Sequence, residues 1–365
     1  MKSLYIHIPF CESKCYYCDF CSFKADDNIK NQYVAKLLCE IDNLPENITL
    51  KSVFIGGGTP SLLDIELVKQ IFTKIKSKFL LCDNCEITIE CNPNSLTEDK
   101  MKAYKELGIN RLSIGVQTLN DELLKEIGRV HTKQDFLEVA RLIPKYFQNY
   151  NFDLMIGLPN QTKKDIESTI KECLSFNPTH ISLYSLILEP NTKLEQQVKN
   201  GEVNLPNEDE VTILYDQARK LLEDLGFNRY EISNFCKPNF ESVHNFHYWQ
   251  SGEYYGVGLS AHSFINGVRY YNTSNMQDYI SGNFEPIYKE ELTTQEQITE
   301  HIMLELRTAK GLNHKNLKNK FNYDILLAKE EALKEIASFV EINDTFIKIK
   351  DDSFYVSDSI ILKLL

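Results

Sequence analysis

Tyr5-Ile6-His7-Ile8-Pro9-Phe10-Cys11-Glu12-Ser13-Lys14-Cys15-Tyr16-Tyr17-Cys18 is the stretch on which the fold turns. The apolar run Leu4–Ile8 reads as a strand, and Pro9 ends it. Three cysteines follow at C-x3-C-x2-C spacing, so a loop at the C-terminal end of the first strand carries them. Thiolates are soft ligands suited to iron–sulfur clusters and to zinc. Three thiolates on a cubane of four irons leave one iron open to a small molecule. Two other readings compete: a zinc site, for which Cys82 and Cys85 offer a further C-x2-C, and three unrelated core cysteines.

Beyond this loop, short apolar runs recur at Ser52–Ile55, Glu86–Glu90, Arg111–Gly115, Phe152–Ile156 and His180–Leu186. Stretches with helical periodicity separate them: Lys30–Asp42, Leu63–Lys76, Thr97–Leu107, Asp121–Ile127 with Lys133–Leu142, and Lys163–Leu174. Strands alternating with helices predict an α/β fold with a parallel sheet, wound right-handed into a partial (βα)6 barrel of the TIM type. A helix over Glu208–Leu225 and a short strand over Arg229–Ile232 follow. Asn234–Gly267 is rich in aromatics and glycine and poor in periodicity. From Leu292 two or three short helices precede a hairpin across Phe339–Ile349, the pattern of a small α+β winged-helix-like module. The boundaries expected are 1–235 for the core, 236–290 for an aromatic-rich connection and 291–365 for the C-terminal module.

Composition narrows the function classes. The 365 residues carry 40 Lys plus Arg against 52 Asp plus Glu, a net charge of −12 that argues against a nucleic-acid backbone as main partner. No apolar run approaches the roughly 20 residues of a membrane helix, and the first residues show no cleavable signal pattern. A cytoplasmic chain is expected. Ten cysteines, four of them bunched between Cys11 and Cys21, point to metal or redox chemistry rather than to a disulfide scaffold.

Polar residues gather where the strands should end. Gly56-Gly57-Gly58-Thr59-Pro60 follows the second strand, and consecutive glycines let backbone approach a ligand closely. Glu90 ends the third strand, Gln117 follows the fourth, Arg129 lies twelve residues further on, and Asp153 sits on the fifth. In barrels the C-terminal strand ends collect function. The cysteine loop and this constellation together resemble the radical S-adenosylmethionine (radical SAM) superfamily. The resemblance implies a [4Fe-4S] cluster on Cys11, Cys15 and Cys18, with SAM chelating the open iron. It implies a SAM site made by Tyr5, Gly57, Gly58, Thr59, Glu90, Gln117, Arg129 and Asp153. In that superfamily an electron from the cluster cleaves the sulfonium and yields a 5′-deoxyadenosyl radical.

Tyr5–Cys11, Gly56–Ser61, Arg111–Gln117 and Asp153–Pro159 are similar to the coproporphyrinogen-oxidase-like branch. That branch holds the oxygen-independent coproporphyrinogen III oxidase HemN and the related HemW haem chaperones. Three features resemble HemW. Cys11 lies only ten residues after Met1, without room for the oxidase's N-terminal extension. Phe20 stands where the oxidase has a fourth cysteine. His244-Asn245-Phe246-His247-Tyr248-Trp249 matches the H-N-x-x-Y-W motif of HemW proteins and holds the single tryptophan. The resemblance implies a haem chaperone, with haem held at His244 and delivered to acceptor proteins, among them respiratory proteins at the membrane. It implies that cluster and SAM regulate transfer or oligomerisation rather than drive turnover, so the chain is a relative of an enzyme and not itself committed to that activity.

Several residues keep two readings. A neutral imidazole can ligate haem iron and flat aromatics can cover a macrocycle, and the resemblance makes His244 the first candidate; the competing reading is a core histidine. His247 and the Cys236-Lys237-Pro238 thiolate are additional haem candidates, and His7 a partner of the cluster. Cys21 is an unrelated buried thiol, a fourth cluster ligand, or a transient occupant of the open iron. His131, His262, Cys39, Cys82, Cys85, Cys91 and Cys173 carry no assigned role. The alternative function is oxidative decarboxylation of coproporphyrinogen III; a zinc-stabilised binding module is the third.

Overall fold

The computed structural model describes residues 1–365. Six strands lie side by side in chain order, all parallel: β1 (Lys2–Ile8), β2 (Thr49–Gly57), β3 (Leu80–Cys91), β4 (Arg111–Gln117), β5 (Asn149–Ile156) and β6 (His180–Ser185). Helices α1 (Asp27–Asn43), α2 (Ile65–Lys78), α3 (Glu98–Leu107), α4 (Asp121–Glu126), α5 (Lys133–Tyr146) and α6 (Lys163–Leu174) return the chain between them. Local chemistry fixes the helix starts. Thr132 with Asp135 and Thr162 with Asp165 form reciprocal capping boxes, and Thr97 caps α3.

The strands alternate. Ile6, Ile55, Ile89, Ile114, Phe152 and Ile181 belong to the core under the helices. Their neighbours Phe54, Glu90, Ser113, Asp153 and Ser182 line the opposite, concave face. A barrel filled by its own side chains would be apolar inside; this interior is polar and encloses a cavity.

The sheet continues past both ends of the six. Beyond β6, two short strands run antiparallel: β7 (Asn228–Arg229) and β8 (Asn234–Cys236), the latter paired with β6. Beyond β1, β9 (Tyr254–Val257) adds in parallel. The antiparallel strands β10 (His262–Ile265), β11 (Val268–Tyr271) and β12 (Tyr288–Glu291) then extend it. The result is one open sheet of twelve strands with β7 and β12 as its edges. This corrects two sequence expectations. The strand expected at Arg229–Ile232 stops at Arg229, because Glu231 and Ser233 turn the chain back to make β8. The aromatic stretch within 236–290 is no mere connection: Tyr255, Val257, Leu259 and Tyr279 belong to the main core of 52 residues.

Next in chain order come α7 (Lys193–Lys199), α8 (Glu208–Asp224), α9 (Val243–Trp249), α10 (Met276–Ser281) and α11 (Thr294–Glu305). From Ile298 to Leu364 a second core of 15 residues forms around a three-stranded antiparallel sheet and short helices. No helix of the chain is long and apolar enough to cross a membrane.

Candidate functional site

The loop after β1 is pinned at several points. Cys11 N donates to Phe23 O at 2.9 Å, and Phe23 N to Pro9 O at 2.8 Å. Tyr16 N donates to Ile127 O at 2.9 Å, Leu194 N donates to Tyr16 O at 2.8 Å, and Lys193 Nζ sits 3.6 Å over the Tyr16 ring. Gly128 has a left-handed backbone, and a Cβ there would lie 2.5 Å from the same ring. Cys11, Cys15 and Cys18 are free, half-buried and open onto one cavity. Thr59 Oγ1 lies 3.8 Å from Cys11 Sγ, and Arg129 Nη1 donates to Cys15 Sγ at 3.6 Å.

The cavity measures about 370 Å³ and occupies the C-terminal end of the sheet. Gly57, Gly58, Thr59, Glu90, Gln117, Arg129 and Asp153 all line it. Gly58 explains the glycine run: a Cβ there would meet Phe10 O at 2.7 Å and Cys11 Sγ at 3.0 Å. Gly57 has φ +115, and a Cβ would strike the His7 ring at 2.6 Å. Gln117 is a non-glycine residue at φ +67, where the β4–β5 register shifts; that bulge turns its side chain into the cavity.

Two half-buried carboxyls stand against this cavity. Glu90 Oε2 accepts from Gly57 N at 3.0 Å. Burial, then the charge of Asp153, pushes Glu90 up to about 8. Burial raises Asp153 as well, against hydrogen bonds from Ser182, Asn151 and Ser113. A cationic guest beside Glu90 and Asp153 would favour their ionised forms.

Sequence reasoning missed part of the lining. Asn92 takes Arg129 Nη2 at 2.8 Å and donates to Thr59 Oγ1 at 3.1 Å, which locks the glycine loop to the guanidinium. Arg111 is 1% exposed, faces the cavity floor, and has Glu86 at 4.0 Å as its ion pair, with Nε unpartnered. Ser113, Asn151, Ser182 and Tyr184 complete the floor. The signal was present: these polar residues recur at alternate positions of strands that are otherwise apolar.

Other expected residues lie elsewhere. Tyr5 does not line the cavity; its hydroxyl bonds to His7 Nδ1 at 3.0 Å, and His7 Nε2 donates to Cys21 O at 2.9 Å. The pair braces the cysteine loop. Cys21 Sγ points to Ser274 O at 3.9 Å and not into the cavity, so in this arrangement it is no fourth cluster ligand. Cys82 and Cys85 sit at the N-terminal end of β3, opposite the cysteine loop, and no group of three or more His, Cys, Asp or Glu is placed to hold a single metal ion. Three thiols that each take a different iron of a cubane need not converge on one point.

His244 requires the largest correction. It is 1% exposed, inside the N-terminal end of the barrel. Nδ1 bonds to Ser52 Oγ at 2.9 Å and Nε2 to Tyr248 OH at 2.8 Å. Glu86 accepts from Ser242 Oγ, Val243 N and His244 N, which fixes the start of α9. Neither ring nitrogen is free for iron, so here His244 is a core histidine. The motif delivers Asn245 to the cavity instead. His247 Nε2 bonds to Glu253 O, and Cys236 is buried in β8.

A thiol trio on the first strand's loop, facing a polar cavity at the strand ends, defines a radical SAM protein: residues 5–173 match the profile of the Radical SAM superfamily. The chain is 39% identical over 346 residues to the haem chaperone HemW of Bacillus subtilis, covering 92% of this chain and 91% of that one. It is 35% identical to the haem chaperone HemW of Escherichia coli, covering 77% of this chain and 76% of that one. The chain therefore belongs to the HemW family. Its fold matches the solved coproporphyrinogen III oxidase HemN of Escherichia coli with a TM-score of 0.86 at 22% identity, covering 99% of this chain and 89% of that one. The superfamily implies a [4Fe-4S] cluster and SAM. The donor set fits both: three unpaired thiols, a glycine cradle whose missing Cβ leaves room beside Cys11, and the cavity-lining Arg129 guanidinium, which bonds to Cys15 Sγ.

Proposed function

We propose that this chain is a haem chaperone: it holds a [4Fe-4S] cluster and SAM, takes up haem and hands it to acceptor proteins. The observation that carries the reading is identity of 39% to a HemW haem chaperone across nine-tenths of both chains. Cys11, Cys15 and Cys18 would hold the cluster. Gly57, Gly58 and Thr59 would present backbone and hydroxyl to SAM, with Glu90, Gln117 and Asp153 around it. When bound, cluster and SAM supply one-electron chemistry at the open iron. The chain's own part is to position. Asn92 and Arg129 fix the glycine loop against Cys15, while Tyr5 and His7 hold the cysteine loop from behind. The acceptors would be haem proteins, those of respiratory membranes included, reached from the cytoplasm by peripheral contact.

The test is anaerobic reconstitution with iron and sulfide, followed by two assays. Haem-loaded chain mixed with vesicles carrying a haem-depleted acceptor should transfer its haem. The same chain with SAM and coproporphyrinogen III should form no protoporphyrinogen. Protoporphyrinogen at catalytic rates, without haem transfer, would replace this reading with the oxidase one.

A further inference from the structure

Two of the three cluster thiols meet a side-chain donor from the cavity wall. Thr59 Oγ1 lies 3.8 Å from Cys11 Sγ, and Arg129 Nη1 lies 3.6 Å from Cys15 Sγ. Both are within reach of a hydrogen bond to sulfur. The donors come from distant parts of the chain: Thr59 follows β2 and Arg129 follows α4. One side chain joins them. Asn92, directly after β3, accepts from Arg129 Nη2 at 2.8 Å through Oδ1 and donates from Nδ2 to Thr59 Oγ1 at 3.1 Å.

The direction of each bond follows from the groups. A guanidinium has only donors, so the Asn92 oxygen must face Arg129 and its amide nitrogen must face Thr59. The Thr59 oxygen accepts that bond, which leaves its single proton for Cys11. Arg129 is steadied from two further sides. Gly115 O accepts from Nη2 at 2.6 Å. His131 Nε2 bonds to the Val116 carbonyl at 3.2 Å, so its proton sits there, and the bare Nδ1 takes Arg129 Nε at 3.3 Å.

The chain makes room for this junction. A Cβ on Gly115 would lie 3.1 Å from Arg129 Nη2, 3.2 Å from Asn92 Oδ1 and 3.3 Å from Gln117 Nε2. The glycine keeps open the space in which three polar side chains meet. Asn92 is itself held from both ends of its peptide units. Its N donates to Ser61 Oγ at 3.2 Å, and its carbonyl accepts from Ser95 N and Ser95 Oγ, each at 3.1 Å.

We propose that Asn92 is a positioning residue: it aims the Thr59 hydroxyl at Cys11 and the Arg129 guanidinium at Cys15, and through them sets the reduction potential of the cluster. The proposal rests on the radical SAM reading of the three thiols and gives a task to a residue outside the ligand set. Donors to cysteinyl sulfur, and a cation beside it, stabilise the more negative, reduced cluster and raise its potential. Loss of the Asn92 amide slackens both aims at once, so the potential should fall.

The experiment is a potentiometric titration of the anaerobically reconstituted full chain without SAM, read by electron paramagnetic resonance of the reduced cluster. At the wild-type midpoint, Asn92→Ala should show a reduced-to-oxidised ratio lower by about threefold or more. Thr59→Val, which removes only the arm to Cys11, should shift the ratio in the same direction by less. Because Asn92 acts through Thr59, the double variant should shift less than the two single shifts added together. A merely structural loss at Asn92 would move iron content or melting temperature without that coupling. A wild-type ratio in Asn92→Ala, or additive shifts, overturns the proposal. Should Asn92→Ala load no cluster, Thr59→Val decides, and an unchanged ratio there overturns it as well. A wild-type chain that holds no cluster overturns the radical SAM reading itself, a separate result.

Discussion

His244→Ala should cost the fold far more than an exposed histidine would. The imidazole is 1% exposed and makes two hydrogen bonds, at 2.9 and 2.8 Å. It also packs 5.1 Å from Phe54 and 4.8 Å from Tyr248, centroid to centroid. Each hydrogen bond contributes about 1 kcal/mol net. Deleting a buried ring adds about 2–3 kcal/mol for lost burial and the cavity left behind, toward the low end of ring-to-alanine changes because imidazole is small. The sum is about 4–5 kcal/mol, a melting temperature lowered by roughly 5–7 °C for a chain of this size. Circular dichroism of the cluster-free chain would read it, with His262→Ala as the control expected within about 0.5 kcal/mol. The pH dependence has a definite sign. Burial, with help from His247, Arg111 and Lys51, lowers His244 to about 3, below its ordinary 6.5. Its contribution is therefore complete above pH 6.5 and falls as the pH drops toward 3, because only the unfolded chain binds the proton. The variant should lack that slope. A variant as stable as wild type would refute the reasoning and free the ring for another role.

Further outcomes follow from the same geometry. Cys15→Ser should lose bound iron and sulfide on anaerobic reconstitution, whereas Cys21→Ser should retain both, since its sulfur faces Ser274; iron and sulfide analysis decides. SAM affinity, measured by calorimetry, should rise with pH toward about 8, by at most about tenfold per unit, because Glu90 must give up a proton to face a cation; Glu90→Gln should flatten that dependence. Glu40, which accepts from Gly258 N, Asn272 and Tyr279, is raised by burial to about 7. Its contribution to stability is full below pH 4.5 and lost as the pH rises through 7, on the order of 3 kcal/mol; denaturation of Glu40→Gln across that range should show the slope removed.

Much of the site was legible because its chemistry is local in sequence. The cysteine loop and Gly56–Thr59 each follow a strand directly, and a parallel βα chain must bring successive strand ends together. Glu90, Gln117, Arg129 and Asp153 could be placed by the same rule. What stayed hidden depends on pairing at a distance. Asn234–Gly267 read as poor in periodicity, and the strands that follow from Tyr254 are only four residues each, too short to show a long period. Only the pairing of β9 with β1 makes them part of the sheet. His244 and His262 look alike in sequence, and the motif around His244 drew attention to it. The partner that fixes the His244 ring in the core, Ser52, comes from another strand.

The account stands or falls on one iron of the cluster being left open by Cys11, Cys15 and Cys18. The direct measurement is the electron paramagnetic resonance spectrum of the reduced, anaerobically reconstituted chain with and without SAM. A [4Fe-4S] signal that changes on adding SAM is the expected result. A cluster signal indifferent to SAM, or no cluster at all, would contradict it.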